Sequence, residues 1–415
     1  MKKVLSIAVA GCALASAGTS AAVSESEWNA FKVQFQQMQE RISALEAENQ
    51  ALRGESTLVK VEDLSALQND VASLKASEQS SSWTDTISLK GDFRYRFEDI
   101  RDDDSDRERN RVRARAAIVA KPSADVEAGL GFATGGDDPV STNQTLGGGG
   151  STKDVRLDLA YLTWTGLENT YITAGKYSNP LYRVQKSGLI WDGDFRPEGL
   201  VLGWSKDSLF ATATYSFLES DSKRGNNALW GAQVGAKLAL SESLTLTAAA
   251  KYLEIPSKGA GAIFDDDFFG NSSIEEGGEL VYAFDYNVVN ASLDLGFDVL
   301  SMPVNVYADY IENTDADDLD TGYLAGVKVG KASKANTWQF QYQYQMLEAD
   351  ATLGLITDSD FAGGGTDGEG HKFSVKYAID NRWYVGATYF DTQRGVDLGR
   401  DSDYRRLMID TGVKY

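Results

Sequence analysis

One cysteine and one histidine in 415 residues leave little material for metal or nucleophile chemistry. A zinc site or a Cys/His catalytic pair needs several such side chains, and one of each hardly builds either. Basic residues are also short, 40 Lys plus Arg against 61 Asp plus Glu, for a formal charge of -21. That deficit argues against a nucleic-acid partner, because a duplex demands a basic footprint to displace its counterions. Proline is scarce at 6 residues beside 40 Gly and 19 Tyr, a balance unlike that of a soluble enzyme. No apolar run reaches about eighteen residues, so no helical membrane span is present. The mean hydropathy of -0.32 does not exclude a membrane barrel, whose apolar positions alternate with polar ones and average out.

The chain opens with an address. Met1-Lys2-Lys3 is a cationic head, Val4 to Ala17 is an apolar stretch of small residues, and Ser20-Ala21-Ala22 fits a cleavage site. Residues 1–22 therefore read as a signal peptide that sends the remainder out of the cytoplasm. Cys12, after Val9-Ala10-Gly11, also resembles a lipoprotein box, but cutting there would leave an unusually short apolar core. Discarded with the signal, it leaves a chain without thiol or disulfide.

A helical rhythm follows. Trp28, Phe31, Phe35, Met38, Ile42, Leu45, Asn49 and Leu52 step by three and four in alternation, which keeps one seam facing a partner helix. Asn49 falls on an a position, where a buried amide selects register. The phase breaks after Gly54 and resumes at Leu64, Leu67, Val71 and Leu74. Residues 23–80 read as a periplasmic coiled-coil stalk, with Phe31, Phe35, Met38, Ile42, Leu45, Asn49 and Leu52 forming the oligomerisation seam. The plainer alternative is a lone amphipathic helix lying on something else.

From Trp83 the period becomes two. Ile87, Leu89, Gly91, Phe93, Tyr95 and Phe97 alternate with Ser88, Lys90, Asp92, Arg94 and Arg96, and Trp338, Phe340, Tyr342 and Tyr344 alternate with glutamines. About sixteen such strands can be counted, an even number that returns the chain to its side of entry. Short links alternate with long polar ones, and Trp83, Trp204, Trp338 and Trp383 all fall at short-link ends. An indole there keeps its ring in lipid and its N–H among headgroups. A soluble sandwich has no reason to sort its loops by end or to gather tryptophan at one rim. Residues 81–415 therefore read as an all-β transmembrane domain, a 16-stranded antiparallel up-and-down β-barrel.

With the lipid face assigned, the other face is cationic. About sixteen Lys and Arg fall on it against about seven Asp and Glu. Lys90, Arg94, Arg96, Arg109, Arg111, Arg113, Arg115, Arg156, Asp158 and Lys176 are the expected pore-lining residues. From Arg109 to Arg115 every second residue is Arg, and stacked guanidiniums imply water or permeating anions between them. The link over residues 179–196 is long enough to fold inward, and it carries Asp192 and Asp194, with Glu198 just beyond. Acids facing an arginine strip would narrow the pore and set a transverse field. No cofactor is expected. The runs Asp102-Asp103-Asp104, Asp265-Asp266-Asp267 and Asp315-Ala316-Asp317-Asp318, and the Asp358-Ser359-Asp360 region, read as solvated outer loops. Ca²⁺ or Mg²⁺ could bridge them to lipopolysaccharide phosphates.

About four-fifths of the chain resembles the putative porin family of Gram-negative outer membranes, related to the phosphate-selective porins. The likeness rests on the ladder Arg109 to Arg115, on Arg156-Leu157-Asp158-Leu159-Ala160-Tyr161, on Ala174-Gly175-Lys176-Tyr177-Ser178-Asn179-Pro180, on Tyr307-Ala308-Asp309-Tyr310 and on a last strand ending at Tyr415. The resemblance implies a trimer of barrels in the outer membrane, passive diffusion of small hydrophilic solutes, and an inward-folded third loop. The reading is a water-filled, anion-favouring channel and not an enzyme, in contact with bilayer, lipopolysaccharide and small solutes or anions, and not with nucleic acid. A hydrolase would need a partner for His371, which opens a strand near the outer rim. The rival reading is a tether whose stalk links a largely closed barrel to the periplasm.

Overall fold

The computed structural model describes residues 25–54, 86–103, 105–220 and 227–415. The expected signal segment with Cys12, the resumed heptads from Leu64 to Leu74, and Trp83 lie outside the described residues. The chain divides into two units, residues 1–82 and 83–415.

In the first unit the described residues form a helix, α1, over Glu25–Gly54. Its sequence is rich in Ala, Leu, Glu, Gln and Arg, which lose little freedom in a helix. Phe35, Met38, Ile42 and Leu45 are each half or more exposed along one side. The side chains of Phe31 and Leu52 lie outside the described residues, and Asn49 is exposed.

The strands of the second unit are β1 Ile87–Asp102, β2 Asp106–Ser123, β3 Val126–Thr134, β4 Val155–Trp164, β5 Thr170–Lys176, β6 Glu198–Lys206, β7 Leu209–Glu219 and β8 Asn227–Ser241. They continue as β9 Leu244–Ile255, β10 Tyr286–Val299, β11 Met302–Asn313, β12 Thr321–Gly330, β13 Thr337–Leu347, β14 Gly368–Ala378, β15 Trp383–Arg394 and β16 Ser402–Lys414. Each pairs antiparallel with its neighbours in order, and β1 pairs with β16 from Asp92↔Lys414 to Asp102↔Tyr404, closing the barrel. These are the sixteen strands expected from period and loop spacing. The pair of strands at 273–276 and 279–282 forms a separate hairpin, and β10 starts after it at Tyr286.

At one rim the connections are tight. Leu300 and Ser301 both have positive φ, 50° and 63°, as a two-residue hairpin matching the twist of its strands requires. Trp204, Trp338 and Trp383 stand exposed on the outside near this rim, and Trp164 joins them. Alternation sorts the two faces: in β1 Phe93 is 45% exposed and Arg96 4%, and in β16 Ile409 is 49% exposed and Arg406 2%. Leu, Phe, Tyr, Trp and Val cover the outside, the arrangement that hydrocarbon rewards and water penalises. Glycines serve this wall where rings lie flat on it. An added Cβ at Gly203 would stand 2.0 Å from the Tyr171 ring, and one at Gly235 would stand 2.1 Å from Phe210.

The inside departs from the expected uniformly wet lumen. The loops over residues 177–197, 256–285 and 348–367 turn into the barrel and pack an apolar cluster against the inward faces of β8 to β13. Leu189, Ile190 and Trp191 from the first loop and Leu353 and Ile356 from the last meet Leu253, Val288, Ile311 and Leu324 of the wall, all at most 2% exposed. These strands carry Leu, Val and Ile at lumen-facing positions, and apolar loop side chains bury themselves where such a surface is offered. The opposite wall offers less: Met408 of β16 and Phe390 of β15 form a small second cluster with Phe361 and Ala362 of the last loop.

Candidate functional site in the lumen

The opposite wall is built by β16, β1 and β2. Register sets Arg94 beside Arg113, Arg96 beside Arg111, Glu98 beside Arg109, and Asp92 beside Arg115. From the other side Asp410 is paired with Arg96. The expected cationic strip of Arg94, Arg96, Arg109, Arg111, Arg113 and Arg115 is thus brought together, and Arg406 joins it from β16.

The strip is not bare. Glu98, with its side chain fully buried, is bonded by Arg109, accepts from Arg406 at 2.9 Å, and lies 3.5 Å from Arg96 and 3.7 Å from Arg111. Asp92 binds Arg113 at 2.8 Å and Arg115 at 2.6 Å, and Asp410 binds Arg96 at 2.7 Å. Glu98 escapes an alternation argument that ends the first strand at Phe97. The strand runs on to Asp102, and that extension is what turns the carboxylate into the lumen.

Two further carboxylates arrive from loops. Asp194, in the expected constriction loop, accepts from Arg115 at 3.0 Å, from Arg113 at 3.5 Å and from Thr142 Oγ1 at 2.9 Å. The same loop crosses the lumen, since Gln185 bonds Asp294 of β10 and accepts from Lys328 Nζ of β12 at 2.9 Å. Asp360 comes from the loop over 348–367 and binds Arg406 at 2.8 Å and Arg96 at 3.0 Å. This overturns the expectation that the Asp358-Ser359-Asp360 region is a solvated outer loop. Sequence gives no signal for it, because an inward acidic loop and a solvated one share one composition. Burial alone would raise the pKa of Asp360, yet Arg406 and Arg96 hold it well below the ordinary carboxylate range. Asp194 is likewise held low against its own burial by Arg113 and Arg115.

Asp192 behaves differently. It makes no ion pair with the arginine strip. Its Oδ2 accepts from Ser359 N at 2.9 Å and Ser359 Oγ at 3.0 Å, its own N–H donates to Ile356 O at 2.7 Å, and Asp358 N donates to Gly188 O at 3.1 Å. The two inward loops are therefore tied into one bridge, close enough that a Cβ on Gly188 would stand 2.5 Å from that of Asp358. Burial, then Asp358 and Asp194, push the Asp192 carboxyl up to about 8.

Other expected site residues lie beside the arginine strip rather than in it. Glu198 opens β6 exposed, binds Lys176 at 2.5 Å, and lines a cavity of about 420 Å³ together with Arg156, Asp158, Lys176 and Asp194. Arg156 is half exposed near the mouth, 3.6 Å from Asp154. Asp158 sits at a bulge opposite Gly131 and Phe132 and accepts from Arg196 at 3.2 Å. Lys90 is exposed near the tight-turn rim. Alternation gives no sign of Lys186, on the constriction loop, whereas Lys328, Lys376 and Lys414, which lie within its electrostatic reach, belong to the cations expected on the inner face. Among the described residues no group of three or more His, Cys, Asp or Glu is gathered as a metal would need. Asp102 of the first acidic run instead binds Arg394 and accepts from Ser402 Oγ at 2.8 Å. His371 stands on the outer face with Nδ1 3.0 Å from Tyr342 OH and its ring centroid 5.1 Å from that of Tyr344.

Comparison with known proteins agrees with this geometry. Among solved structures the chain is similar to Pseudomonas putida OprB at high pH, with 11% identity and a TM-score of 0.55 over 80% of this chain and 95% of that one. Salmonella typhi OmpF, solved with daunomycin, gives 11% identity and 0.49 over 80% and 99%. The trimer form of Vibrio cholerae OmpT gives 15% and 0.47 over 80% and 99%. At these identities the OprB likeness speaks for the fold. No curated protein sequence matches. The family described as putative porin matches residues 98–256 and 274–405, most of the barrel. This chain is a member of the putative porin family, a channel-forming barrel and not an enzyme.

Proposed function

We propose that the protein is an outer-membrane porin that passes small hydrophilic solutes and ions with a modest anion preference. The observation that carries this reading is the inward loop over 177–197, which crosses the lumen and sets Asp194 against Arg113 and Arg115. It narrows the path at a charged constriction instead of sealing it with apolar side chains. The preference for anions follows from an incomplete balance. Arg94, Arg96, Arg109, Arg111, Arg113, Arg115 and Arg406 meet only Asp92, Glu98, Asp194, Asp360 and Asp410, and Lys186, Lys328, Lys376 and Lys414 add charge beyond them. Most guanidiniums are paired, so the preference is weak.

The exposed seam of Phe35, Met38, Ile42 and Leu45 on α1 supports a coiled-coil stalk in the periplasm that joins copies of the chain, three of them if the resemblance to trimeric barrels holds. The apolar cluster inside the barrel gives the tether reading its one foothold. Purified protein in a planar bilayer decides between the two. A porin produces stepwise current and a reversal potential displaced toward that of chloride under a salt gradient. A closed tether passes no current, and a strong cation preference would mean that the acidic loops control permeation.

A further inference from the structure

We propose that the cavity between the arginine wall and the two inward loops binds a small monocarboxylate through Arg94 and Arg183. The site deepens the anion-channel reading and rests on it.

The cavity holds about 170 Å³, and Arg94, Arg113, Arg183 and Lys186 face it together with four aspartates. Three of those aspartates already have cations: Asp194 has Arg113 and Arg115, Asp358 has Lys372 at 3.3 Å, and Asp360 has Arg96 and Arg406. The fourth, Asp192, is taken up by the N–H of Asp194 and by Ser359 N and Oγ, all of which donate to it. Among the described residues Arg94 is left without a carboxylate in ion-pair contact. Its Nη2 donates to Asn143 Oδ1 at 2.6 Å, and its buried Nε has no acceptor. Arg183 donates only to backbone carbonyls, Trp191 O at 2.6 Å and Ser187 O at 3.3 Å. Lys186 makes no ion pair among the described residues.

A buried guanidinium N–H without an acceptor is costly, and a ligand oxygen is the natural remedy. The planar fork of arginine matches the two oxygens of a carboxylate. The cavity has room for a ligand of a few heavy atoms at the two guanidiniums. Charge limits it further. Asp194, Asp358 and Asp360 line the same space and disfavour a second negative charge, so a monoanion fits better than a phosphate or dicarboxylate dianion.

Asp192 makes the site sensitive to pH. It faces Arg183 and Asp194 on its own loop and Asp358 and Ser359 on the other, with Arg94 across the cavity. Ionisation above about pH 8 would set a negative charge beside Arg183 and weaken anion binding.

Calorimetric titration of the full-length, detergent-solubilised protein with acetate at constant ionic strength tests this without relying on conduction. Saturable heat is expected in the wild type at pH 7, with affinity lowered about tenfold in Arg94→Gln. A further fall is expected at pH 9, absent from Asp192→Asn. Unchanged affinity in Arg94→Gln would overturn the site, as would phosphate dianion or chloride binding as tightly as acetate. In bilayers the same acetate should block current reversibly. Anion-preferring current in a protein that gives no acetate heat removes the site and leaves the channel. Acetate heat without any current removes the channel and leaves the pocket.

Discussion

The two walls of the lumen are made by one device, a strand whose side chains alternate, and they end with opposite interiors. On β16, β1 and β2 most inward positions are Arg, Asp and Glu, and the loops that reach them bring carboxylates, with Phe361 against Met408 as an apolar exception. Across β8 to β13 many inward positions are Leu, Val, Ile and Tyr, and the loops that reach them bring Trp191, Leu189 and Ile356. The loops over 177–197 and 348–367 are anchored on the apolar wall by burial and present Asp194 and Asp360 to the other. The apolar wall thus acts as the footing of the constriction, and the cationic wall is its working face.

Removing the footing and the face together should have the largest effect. Deleting residues 179–196 takes out both Trp191 and Asp194, and single-channel conductance should rise severalfold; an unchanged value would remove this loop from the constriction. Next comes Glu98→Gln, which disturbs the working face alone. Four guanidiniums lose a buried counter-charge, and one broken buried pair costs about 3–5 kcal/mol. Heat resistance of the folded barrel should fall while anion preference grows. Stability at the wild-type level would mean that water already screens this cluster.

A smaller effect is expected at the seam between the loops, through pH. The Asp192 carboxyl is raised from its ordinary 3.8 to about 8, so the bridged arrangement loses stability as pH climbs through that window and stays at its weakest above about 8. Asp194 and Asp360 are lowered and act in the opposite sense, supporting the bridge above their ordinary 3.8 and failing in stronger acid. Current fluctuations should be least in mildly acidic solution, near the ordinary carboxylate range, and grow toward both extremes. In Asp192→Asn the alkaline limb should vanish; its persistence would place the alkaline event elsewhere. Smallest of all is Glu198→Gln, which breaks a solvent-exposed pair with Lys176. Such pairs contribute about 0–1 kcal/mol, so selectivity and thermal unfolding should hardly move. A clear selectivity change there would return Glu198 to the constriction.

What was legible beforehand follows from the locality of β structure. A period of two needs only neighbouring residues, so all sixteen strands, the rim tryptophans and the facing of Arg109 to Arg115 could be read from runs of about ten residues. Asp194 was also foreseeable, as an acid in the one long link expected to fold inward. Asp192 shared that link and composition, yet it turned away to Ser359. No local pattern separates the two aspartates, because the choice depends on what the facing loop offers.

By itself the amino-acid order determined the barrel, its greasy outside and the lining of one wall with arginine, since each is a property of alternation within a strand. Only the tertiary structure decided how much of that charge stays free. Glu98, Asp360 and Asp410 reach Arg96 and Arg406 across sequence separations of up to 314 residues. Such pairs form only because closing a cylinder brings its first and last strands, and the loops inside it, to one place. Ion pairing depends on distance in space, and alternation along a strand carries no record of it.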